Sequence, residues 1–421
     1  MHAWLKQTIR VLASAWLCAA SMPAIADELA IVGARLYTAP DAAAIERGTV
    51  LVRDGRIAAV GPTADIAVPR GAAVVDAQGA VLTAGFWNSH VHLLPPPLRD
   101  ARRATAPELD AALQAMLTRW GFTAVFDIGS LPGGARALRR RIDTGEVAGP
   151  MILTTDALFF PEGGTPIYVR ELFQQLNVPS MEVASAAQAQ SRARLQLADG
   201  ADGVKMMAGA IVGGPVGVLP MDRTIAAALV DEAHRQHKPA FAHPTTLQGL
   251  DISITSGVDV LAHPTPTEGP WSPELVKRLT DRRMALTPTL TLIEIELKND
   301  SAPPDVVQRF VAAGQQQVGA FARAGGQVLF GTDVGYIEWF DTRREYELMA
   351  GAGLDWRAIL ASLTTAPAER FGHAARKGRI AVGMDADLVL LRRDPATDPA
   401  AFADVKTTWR AGRVIYDARA R

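Results

Sequence analysis

The chain has 421 residues, of which 48% are hydrophobic, so it is long enough for one large domain and a smaller one around a sizeable core. Its 43 Lys and Arg residues nearly balance its 44 Asp and Glu residues, which gives a formal net charge of -1. This balance offers no basic excess that would indicate a nucleic-acid partner and no acidic tail.

The first 26 residues have the features of a secretory signal peptide. Basic residues Lys6 and Arg10 precede a short apolar run over residues 11–22, and small residues around Ala26 provide a cleavage site before Asp27. An uncleaved membrane anchor is the alternative, but a spanning helix needs roughly 20 apolar residues and this run is shorter. We therefore expect an exported protein, periplasmic or secreted, with no membrane span after cleavage.

The only cysteine, Cys18, lies within this predicted signal peptide. A mature chain that starts after Ala26 has no thiol, which excludes disulfides and cysteine catalysis. Lipid attachment at Cys18 is disfavoured because Leu17 is bulkier than the residue that usually precedes such a site.

Short alternating strands are predicted at both ends of the mature chain. Asp54-Gly55 and Ala411-Gly412 are turn signals between apolar alternations, and the first of them is a strong hairpin signal. We expect residues 27–82 and 377–421 to form one small composite β-domain. The predicted strands of this domain are 30–36, 48–53, 57–60, 73–76, 386–391, 406–410 and 411–416.

In residues 83–376, strand-like and helix-like segments alternate. This alternation favours a parallel sheet wrapped by helices, and the number of strands fits an α/β fold of the (β/α)8 TIM barrel type. Such a barrel places its chemistry at the carboxyl ends of its strands. The predicted strands are 86–92, 123–128, 151–157, 203–207, 239–243, 258–263, 285–289 and 328–333, and the clearest helices are 184–198, 224–237, 272–282 and 306–324.

His90 and His92 are the first candidate metal ligands. Side chains two residues apart in a strand share a face, so both imidazoles can point at one metal ion. The alternative is a chance pair of histidines in a buried strand, because short metal motifs also match by accident.

Further candidates lie at or near the ends of later strand-like runs. Lys205 is costly in an apolar strand unless its charge changes, although it could instead reach the barrel mouth or pair with Asp202. His243 and His263 each end an apolar run before a proline, a repetition that favours ligands over core histidines. Asp333 ends the last run, where it could alternatively cap a helix.

In order and context, these residues resemble the metal-dependent amidohydrolase superfamily, in particular its imidazolonepropionase-like and prolidase-type dipeptidase-like members. The resemblance covers nearly the whole mature chain, and the two predicted sets of terminal strands are similar to the composite β-sandwich of that superfamily. The resemblance implies that His90, His92 and Asp333 bind one metal ion and that His243 and His263 bind a second. It also implies that Lys205 is N6-carboxylated and bridges the two ions.

The resemblance also implies a mechanism, in which a hydroxide held between two divalent ions attacks the substrate and Asp333 acts as the general base. Metal coordination lowers the pKa of water to around 7 in zinc enzymes. Asp333 would then pass the proton to the leaving amine. Zinc suits the mixed nitrogen and oxygen donors, and manganese, iron or cobalt could occupy the same ligands.

The segment 159–170 is rich in Gly and Pro and is predicted to be a long loop over the site. Within it, Tyr168 could donate a hydrogen bond to the substrate carbonyl oxygen, and Arg170 could hold a carboxylate. Either residue could also be ordinary loop surface.

The leading hypothesis is an exported hydrolase that cleaves a C–N amide bond in a small molecule, in dipeptides or N-acyl amino acids. A cyclic amidase or lactonase of the same superfamily is the alternative, and a non-catalytic binding protein that retains its metals is the second. No Gly-rich fingerprint indicates a nucleotide cofactor. The oligomeric state is left open, with a homo-oligomer as one option.

Overall fold

The computed structural model describes residues 28–419. The predicted signal peptide, residues 1–26, lies outside the described residues. Within the described range, no helix is both long and apolar enough to cross a membrane.

The amino-terminal part of the described chain consists of β-strands and one short 3-10 helix, Thr63–Asp65. Asp54 and Gly55 join its second and third strands with φ values of 52° and 74°, as a two-residue hairpin turn with positive φ at both positions requires. The hairpin predicted from Asp54-Gly55 is thus confirmed. The strands are β1 (Leu29–Tyr37), β2 (Ile45–Arg53), β3 (Arg56–Pro62), β4 (Ala73–Asp76) and β5 (Val81–Ala84).

Strands and helices alternate through the middle of the chain. The strands are β6 (Phe86–Val91), β7 (Phe122–Asp127), β8 (Met151–Thr154), β9 (Phe160–Pro161), β10 (Glu182–Val183), β11 (Val204–Met207), β12 (Gly209–Gly213), β13 (Gly217–Pro220), β14 (Ala240–His243), β15 (Val260–Ala262), β16 (Ala285–Thr287) and β17 (Gln327–Val328). The helices are α1 (Ala106–Met116), α2 (Gly134–Asp143), α3 (Ile167–Gln175), α4 (Ala186–Ala198), α5 (Arg223–Arg235), α6 (Leu247–Ser256), α7 (Pro273–Asp281), α8 (Leu290–Asn299), α9 (Pro304–Arg323), α10 (Arg343–Gly351), α11 (Trp356–Leu363) and α12 (Thr365–Arg370).

Both ends of the described chain contribute to one mixed sheet of eight strands. The carboxyl-terminal strands are β18 (Leu388–Leu391), β19 (Val405–Arg410) and β20 (Arg413–Asp417), and the strand order is β20-β19-β18-β5-β1-β2-β3, with β4 paired to β1. β5 pairs in parallel with β1 and antiparallel with β18. Apolar side chains from both chain ends, including Leu36, Val50 and Trp409, share one buried cluster. The domain boundaries proposed from the sequence stay a prediction.

The middle strands form two larger parallel sheets, β6-β7-β8 and β11-β14-β15-β16-β17. On one side, the backbone of Phe159 donates to Lys205 O and accepts from Met207 N, both at 2.9 Å. On the other side, Ser89 N donates to Phe330 O at 2.7 Å. The chain is therefore an α/β fold with mixed sheets, and the closed barrel stays a prediction.

Two expectations about local structure need correction. The strand predicted over 328–333 shortens to β17. Phe330 N donates to Ser362 O of α11 and not to a neighbouring strand, and the backbone reaches a left-handed φ of 60° at Asp333. The loop predicted over 159–170 contains β9 and the first residues of α3. Pro166 lies directly before α3, where its missing N–H costs no helical hydrogen bond.

Candidate metal centre

The predicted ligands all lie in or shortly after strands of the two parallel sheets. Two of them adopt a left-handed backbone, with a φ of 80° at His263 and 60° at Asp333. Such a conformation costs roughly 1–3 kcal/mol in a non-glycine residue and is concentrated at functional sites. The placements are His90 in β6, His92 one residue after β6, Lys205 in β11, His243 at the end of β14, His263 one residue after β15, and Asp333 beyond β17.

The carboxylate of Asp333 lies at the centre of three imidazoles. His92 Nε2 is 3.0 Å from Asp333 Oδ1, and the Nε2 atoms of His90 and His263 are each 3.3 Å from Oδ2. One ligand atom from each of His90, His263 and Asp333 lies within 4.8 Å of the others. The structure thus contains a buried His/Asp group of the kind that holds a metal ion.

Two atoms of this group are better explained as metal ligands than as members of a hydrogen-bonded core. His90 Nε2 and Asp333 Oδ1 are buried, yet neither has a hydrogen-bond partner within residues 28–419. Buried polar atoms are ordinarily paired, since an unpaired one costs free energy. A cation bound between these atoms removes that cost, so the donor set fits a divalent metal ion.

The outer hydrogen bond of His92 fixes its tautomer. Its Nδ1 contacts the backbone carbonyl oxygen of Gly129, which can only accept a hydrogen bond. Nδ1 therefore carries the proton, and in the neutral ring the lone pair is on Nε2, facing Asp333. An outer carbonyl partner of this kind is typical of metal-binding histidines.

Threonine hydroxyls have the same effect on the other two imidazoles. His90 Nδ1 lies 3.3 Å from Thr287 Oγ1, which itself donates to Leu261 O. His263 Nδ1 lies 2.6 Å from Thr289 Oγ1, which donates to the carbonyl of the preceding residue. Because each hydroxyl proton is already used, each oxygen accepts from the imidazole and leaves Nε2 as the free donor atom.

The protein environment keeps most of these imidazoles neutral. Burial, followed by the charges of neighbouring groups, lowers the pKa of His90 and His263 well below the ordinary value. Burial and then Lys205 lower the pKa of His243 to about 3. For His92, burial lowers the pKa, but opposing effects, of which the negative charge of Asp333 is the largest, outweigh it and raise the pKa. Neutral imidazole is the form that binds metal.

Lys205 lines the same cavity as His92, His243 and Asp333 and is only 2% exposed. Burial lowers its pKa to about 7, with Asp333 partly opposing the effect. No acidic group of the described chain forms an ion pair with it, and the alternative partner Asp202 is 2.6 Å from Arg139 instead. The amine is therefore buried without a counter-ion.

A cavity of about 400 Å³ opens in front of these ligands. Ligand sites of enzymes have volumes of about 300–1,000 Å³ and mostly apolar walls. Tyr168 lines this cavity, and although it is 40% exposed, desolvation raises the pKa of its hydroxyl, followed by the charges of Asp333 and Glu296. Among the apolar residues of the wall are Leu158, Val169, Phe173, Met207, Ile211, Leu292, Ile293, Leu297 and Phe310.

Arg170, unlike Tyr168, does not line this cavity. Its guanidinium donates to Thr165 O at 3.0 Å and lines a neighbouring surface pocket. The segment is helical from Ile167, and residues two apart on a helix do not share a face. Tyr168 and Arg170 therefore point in different directions, and the structure does not support Arg170 as a carboxylate-binding residue of this cavity.

Several residues of the site did not emerge from the sequence. Thr287 ends β16 and Thr289 lies two residues beyond it, both within the predicted strand 285–289, which contains none of the predicted ligands. Glu296 also lines the cavity, as does Tyr336, whose segment 336–339 was expected to be a loop over the site. The wall formed by Leu292, Ile293, Glu296 and Leu297 has the spacing of one helix face, which is the pattern that could have indicated them.

A family profile and several known proteins match this chain. The sequence profile described as "Amidohydrolase family" matches residues 81–415. Dihydroorotase of Mycobacterium tuberculosis is 44% identical over 81 residues, which cover 19% of this chain and only 17% of that enzyme's length. Ochratoxinase of Aspergillus niger is 23% identical over 431 residues, covering 92% of this chain and 87% of the relative.

Solved structures share the fold. A crystal structure of a Xaa-Pro dipeptidase with methionine bound in its active site superposes with a TM-score of 0.79 at 18% identity. The similarity covers 93% of this chain and all 100% of that one. At this identity, the likeness shows that the two proteins share a fold.

Proposed function

Since a profile match over residues 81–415 places this chain in the amidohydrolase family, we propose that it is a metal-dependent hydrolase that cleaves the C–N amide bond of a small molecule. It is an enzyme acting on carbon-nitrogen bonds. The observation that carries this proposal is the convergence of His90, His92 and His263 on the carboxylate of Asp333.

The predicted metal ligands are proposed to form two adjacent sets. By the pattern that the family resemblance implies, His90, His92 and Asp333 would hold one divalent ion, and His243 with His263 would hold a second. The two sets adjoin, since the ring centroid of His263 lies 4.6 Å from that of His90 and 4.7 Å from that of His243. Bound there, the ions supply Lewis acidity, which lowers the pKa of water and polarises a carbonyl group. Zinc is the preferred ion for these mixed nitrogen and oxygen donors.

Lys205 is proposed to be the N6-carboxylated ligand between the two sets. Carbon dioxide reacts with a neutral amine, and a pKa of about 7 leaves a substantial neutral fraction near pH 7. The amine nitrogen would bond to the carbon of carbon dioxide and release one proton. The resulting carbamate would replace a buried, unpaired cation with an anion whose two oxygens could help to hold the metal ions. This change removes the cost of an uncompensated buried ammonium.

Asp333 is proposed as the general base and acid. Its side chain is 4% exposed and lines the cavity in which a water and an amide substrate would bind. It would accept a proton from the attacking water and donate it to the nitrogen as the C–N bond breaks. Tyr168 is proposed to donate a hydrogen bond to the carbonyl oxygen as negative charge develops on it.

The substrate is proposed to be a linear amide with an apolar part, such as a dipeptide or an N-acyl amino acid. The apolar wall of the cavity supports this class, since burial of an alkyl or aromatic group is favourable. A cyclic amide or lactone is the alternative. We also propose that the two parallel sheets close into a (β/α)8 barrel and that residues 1–26 direct export to the periplasm or the medium.

The test is turnover of a panel of linear and cyclic amides by the zinc-loaded protein, with metal content measured beside it. Asp333→Asn should reduce kcat by at least 100-fold, while Asp281→Asn, at an exposed helical position paired with Lys277, should leave it unchanged. Lys205→Ala should lower the metal content from two ions towards one.

Three outcomes would contradict the proposal. Unchanged turnover in Asp333→Asn would exclude its role as the base. One ion per chain in both the parent protein and Lys205→Ala would exclude the two-metal centre. A protein that binds two ions and hydrolyses no amide would instead support a binding function, and turnover of cyclic substrates alone would favour the alternative enzyme.

A further inference from the structure

Glu296 is an acidic residue in the wall of an otherwise mostly apolar cavity. It lies on α8, and the positions 292, 293, 296 and 297 of that helix all line the cavity. Glu296 therefore belongs to the helix face that a bound substrate would contact. The inference below rests on the proposed amide hydrolysis and concerns the charge of the substrate.

A single hydrogen bond holds the Glu296 carboxylate in place. Tyr336 Oη donates to Glu296 Oε2 at 3.2 Å, and Tyr336 itself follows Asp333 in a tight turn. The other oxygen, Oε1, has no hydrogen-bond partner in the part of the chain that the structure describes. Tyr336 thus orients the carboxylate and leaves one oxygen available to a ligand.

No cation of residues 28–419 forms an ion pair with Glu296. Among the described residues, the only lysine or arginine that lines the cavity is Lys205, which lies among the predicted metal ligands. Two residues earlier on the same helix, Glu294 is fully paired, with Lys298 on one side and Arg344 at 2.8 Å on the other. The two glutamates of α8 therefore differ in the one property that matters here, the presence of a counter-ion.

The environment of Glu296 makes its negative charge costly. Burial raises the pKa of Glu296, the hydrogen bond from Tyr336 opposes this effect, and the charges of Asp300 and Asp333 raise the pKa further. A partly desolvated carboxylate without a cation is stabilised by any positive group brought next to it. A substrate carboxylate at this end of the cavity would be repelled.

We propose that Glu296 is a specificity-determining residue that binds a cationic group of the substrate, an amine or a guanidinium, while the apolar wall holds the rest of the molecule. An ammonium can donate to Glu296 Oε1, and a guanidinium can also form a bidentate pair when Tyr336 moves aside. This selects, within the proposed substrates, dipeptides with a free amino group or a basic side chain over N-acyl amino acids with a neutral acyl end.

The first experiment compares kcat/KM for pairs of amides that differ in one positive charge. The pairs are ω-aminoacyl and alkylacyl anilides of equal length, and dipeptides and their N-acetyl derivatives. The charged member should be preferred at least tenfold in one series. Glu296→Gln should abolish this preference, and Glu294→Gln should retain it, because Glu294 lies outside the cavity.

Turnover without a charge preference, or an equal preference in Glu296→Gln, would overturn the inference and leave amide hydrolysis intact. If no amide is hydrolysed, the proposed amide hydrolysis is contradicted. The role of Glu296 is then tested separately, by ligand binding. Calorimetry with hexylamine and hexanol should then show at least tenfold tighter binding of the amine, lost in Glu296→Gln. An affinity for hexylamine that Glu296→Gln leaves unchanged, as coordination of the amine to a metal would give, overturns the inference.

Discussion

At the residue scale, the acceptors outside the metal centre decide which nitrogen of each imidazole is available. Gly129 O, Thr287 Oγ1 and Thr289 Oγ1 each engage an Nδ1 atom, so all three Nε2 atoms face Asp333 with a lone pair. Of the two threonine hydroxyls, that of Thr289 makes the shorter contact with its imidazole. Loss of this acceptor would free the His263 ring to rotate or to change tautomer.

We expect Thr289→Val to weaken metal binding without unfolding the protein. Valine has the shape of threonine but cannot accept the proton of His263 Nδ1, and loss of such a partner typically costs 10–100-fold in metal affinity. Competition with a chromophoric chelator measures the affinity, and circular dichroism checks the fold. Thr280→Val is the control, because its hydroxyl bonds only to carbonyls of its own helix. Equal affinities in both variants would contradict the prediction.

The residue types and spacing of the predicted ligands were sufficient to place them at one site, because parallel strands bring their carboxyl ends together. Thr289 and Glu296 could not be found in this way. Their importance depends on which side chain lies opposite, and a linear sequence carries no such information. Arg170 lines a neighbouring pocket and not the cavity, because a helix, unlike the expected loop, fixes the direction of each side chain.

At the element scale, α8 connects the metal centre to the cavity. The helix starts directly after Thr289 and carries Glu296 two turns later. Its first backbone amides are satisfied by the buried carboxylate of Glu345, which accepts from Leu290 N at 2.8 Å and Thr291 N at 2.7 Å. A negative charge at this end also interacts favourably with the helix dipole.

This cap gives a pH-dependent contribution to stability. Burial raises the pKa of Glu345 from 4.5 to about 7, although the backbone hydrogen bonds oppose the rise. The folded protein therefore holds this proton more tightly than the unfolded chain does. The contribution is fully present below about pH 4.5 and is lost as the pH rises to about 7, and its size is on the order of 3 kcal/mol.

We expect Glu345→Gln to lack this contribution, since glutamine does not titrate. Between pH 4.5 and pH 7, the free energy of unfolding of the parent protein should fall relative to that of the variant, by up to about 3 kcal/mol. Denaturant unfolding of both proteins at several pH values measures the difference. Glu347→Gln, exposed on the same helix, should track the parent protein at every pH. A difference between parent and Glu345→Gln that does not vary with pH would refute the assignment.

The sequence of α8 shows why this helix was not predicted. From Ile293 to Lys298, apolar and charged residues alternate strictly, which is the pattern of a half-buried strand. The segment is nevertheless helical, because the Glu345 carboxylate caps its start and its apolar face packs in the cavity wall. Tertiary contacts overrule a local period in such short segments.

At the scale of the whole molecule, the two ends of the chain share one core. Trp409 of β19 is 1% exposed and packs in the same cluster as Ile31, Leu36 and Val50 from the first two strands. The large side chain from the last part of the chain thus fills the space between strands made from the first part. The local strand patterns predicted most of these strands, whereas the pairing of β5 with both β1 and β18 depends on contacts across the whole sequence.

We expect Trp409→Ala to lower the free energy of unfolding by about 3–5 kcal/mol, the usual cost of removing a buried Trp or Phe side chain. Denaturant unfolding followed by far-UV circular dichroism measures the loss. Trp339→Ala is the matched control, because Trp339 is 51% exposed and its removal leaves no buried cavity. Similar losses of unfolding free energy in the two variants would show that burial of Trp409 between the two chain ends does not stabilise the protein.

The pairing of β5 between β1 and β18 also dictates an order of events while the protein is being made. A ribosome adds about 5–20 residues per second, so tens of seconds separate the emergence of β5 from that of β18. During that interval any sheet formed by β1 to β5 would lack the β18 partner of β5 and the apolar side chains that the carboxyl-terminal strands contribute to its core. Strands β1 to β5 are therefore synthesised well before the strand that completes their sheet, and we expect the growing chain to be most prone to aggregation in that interval.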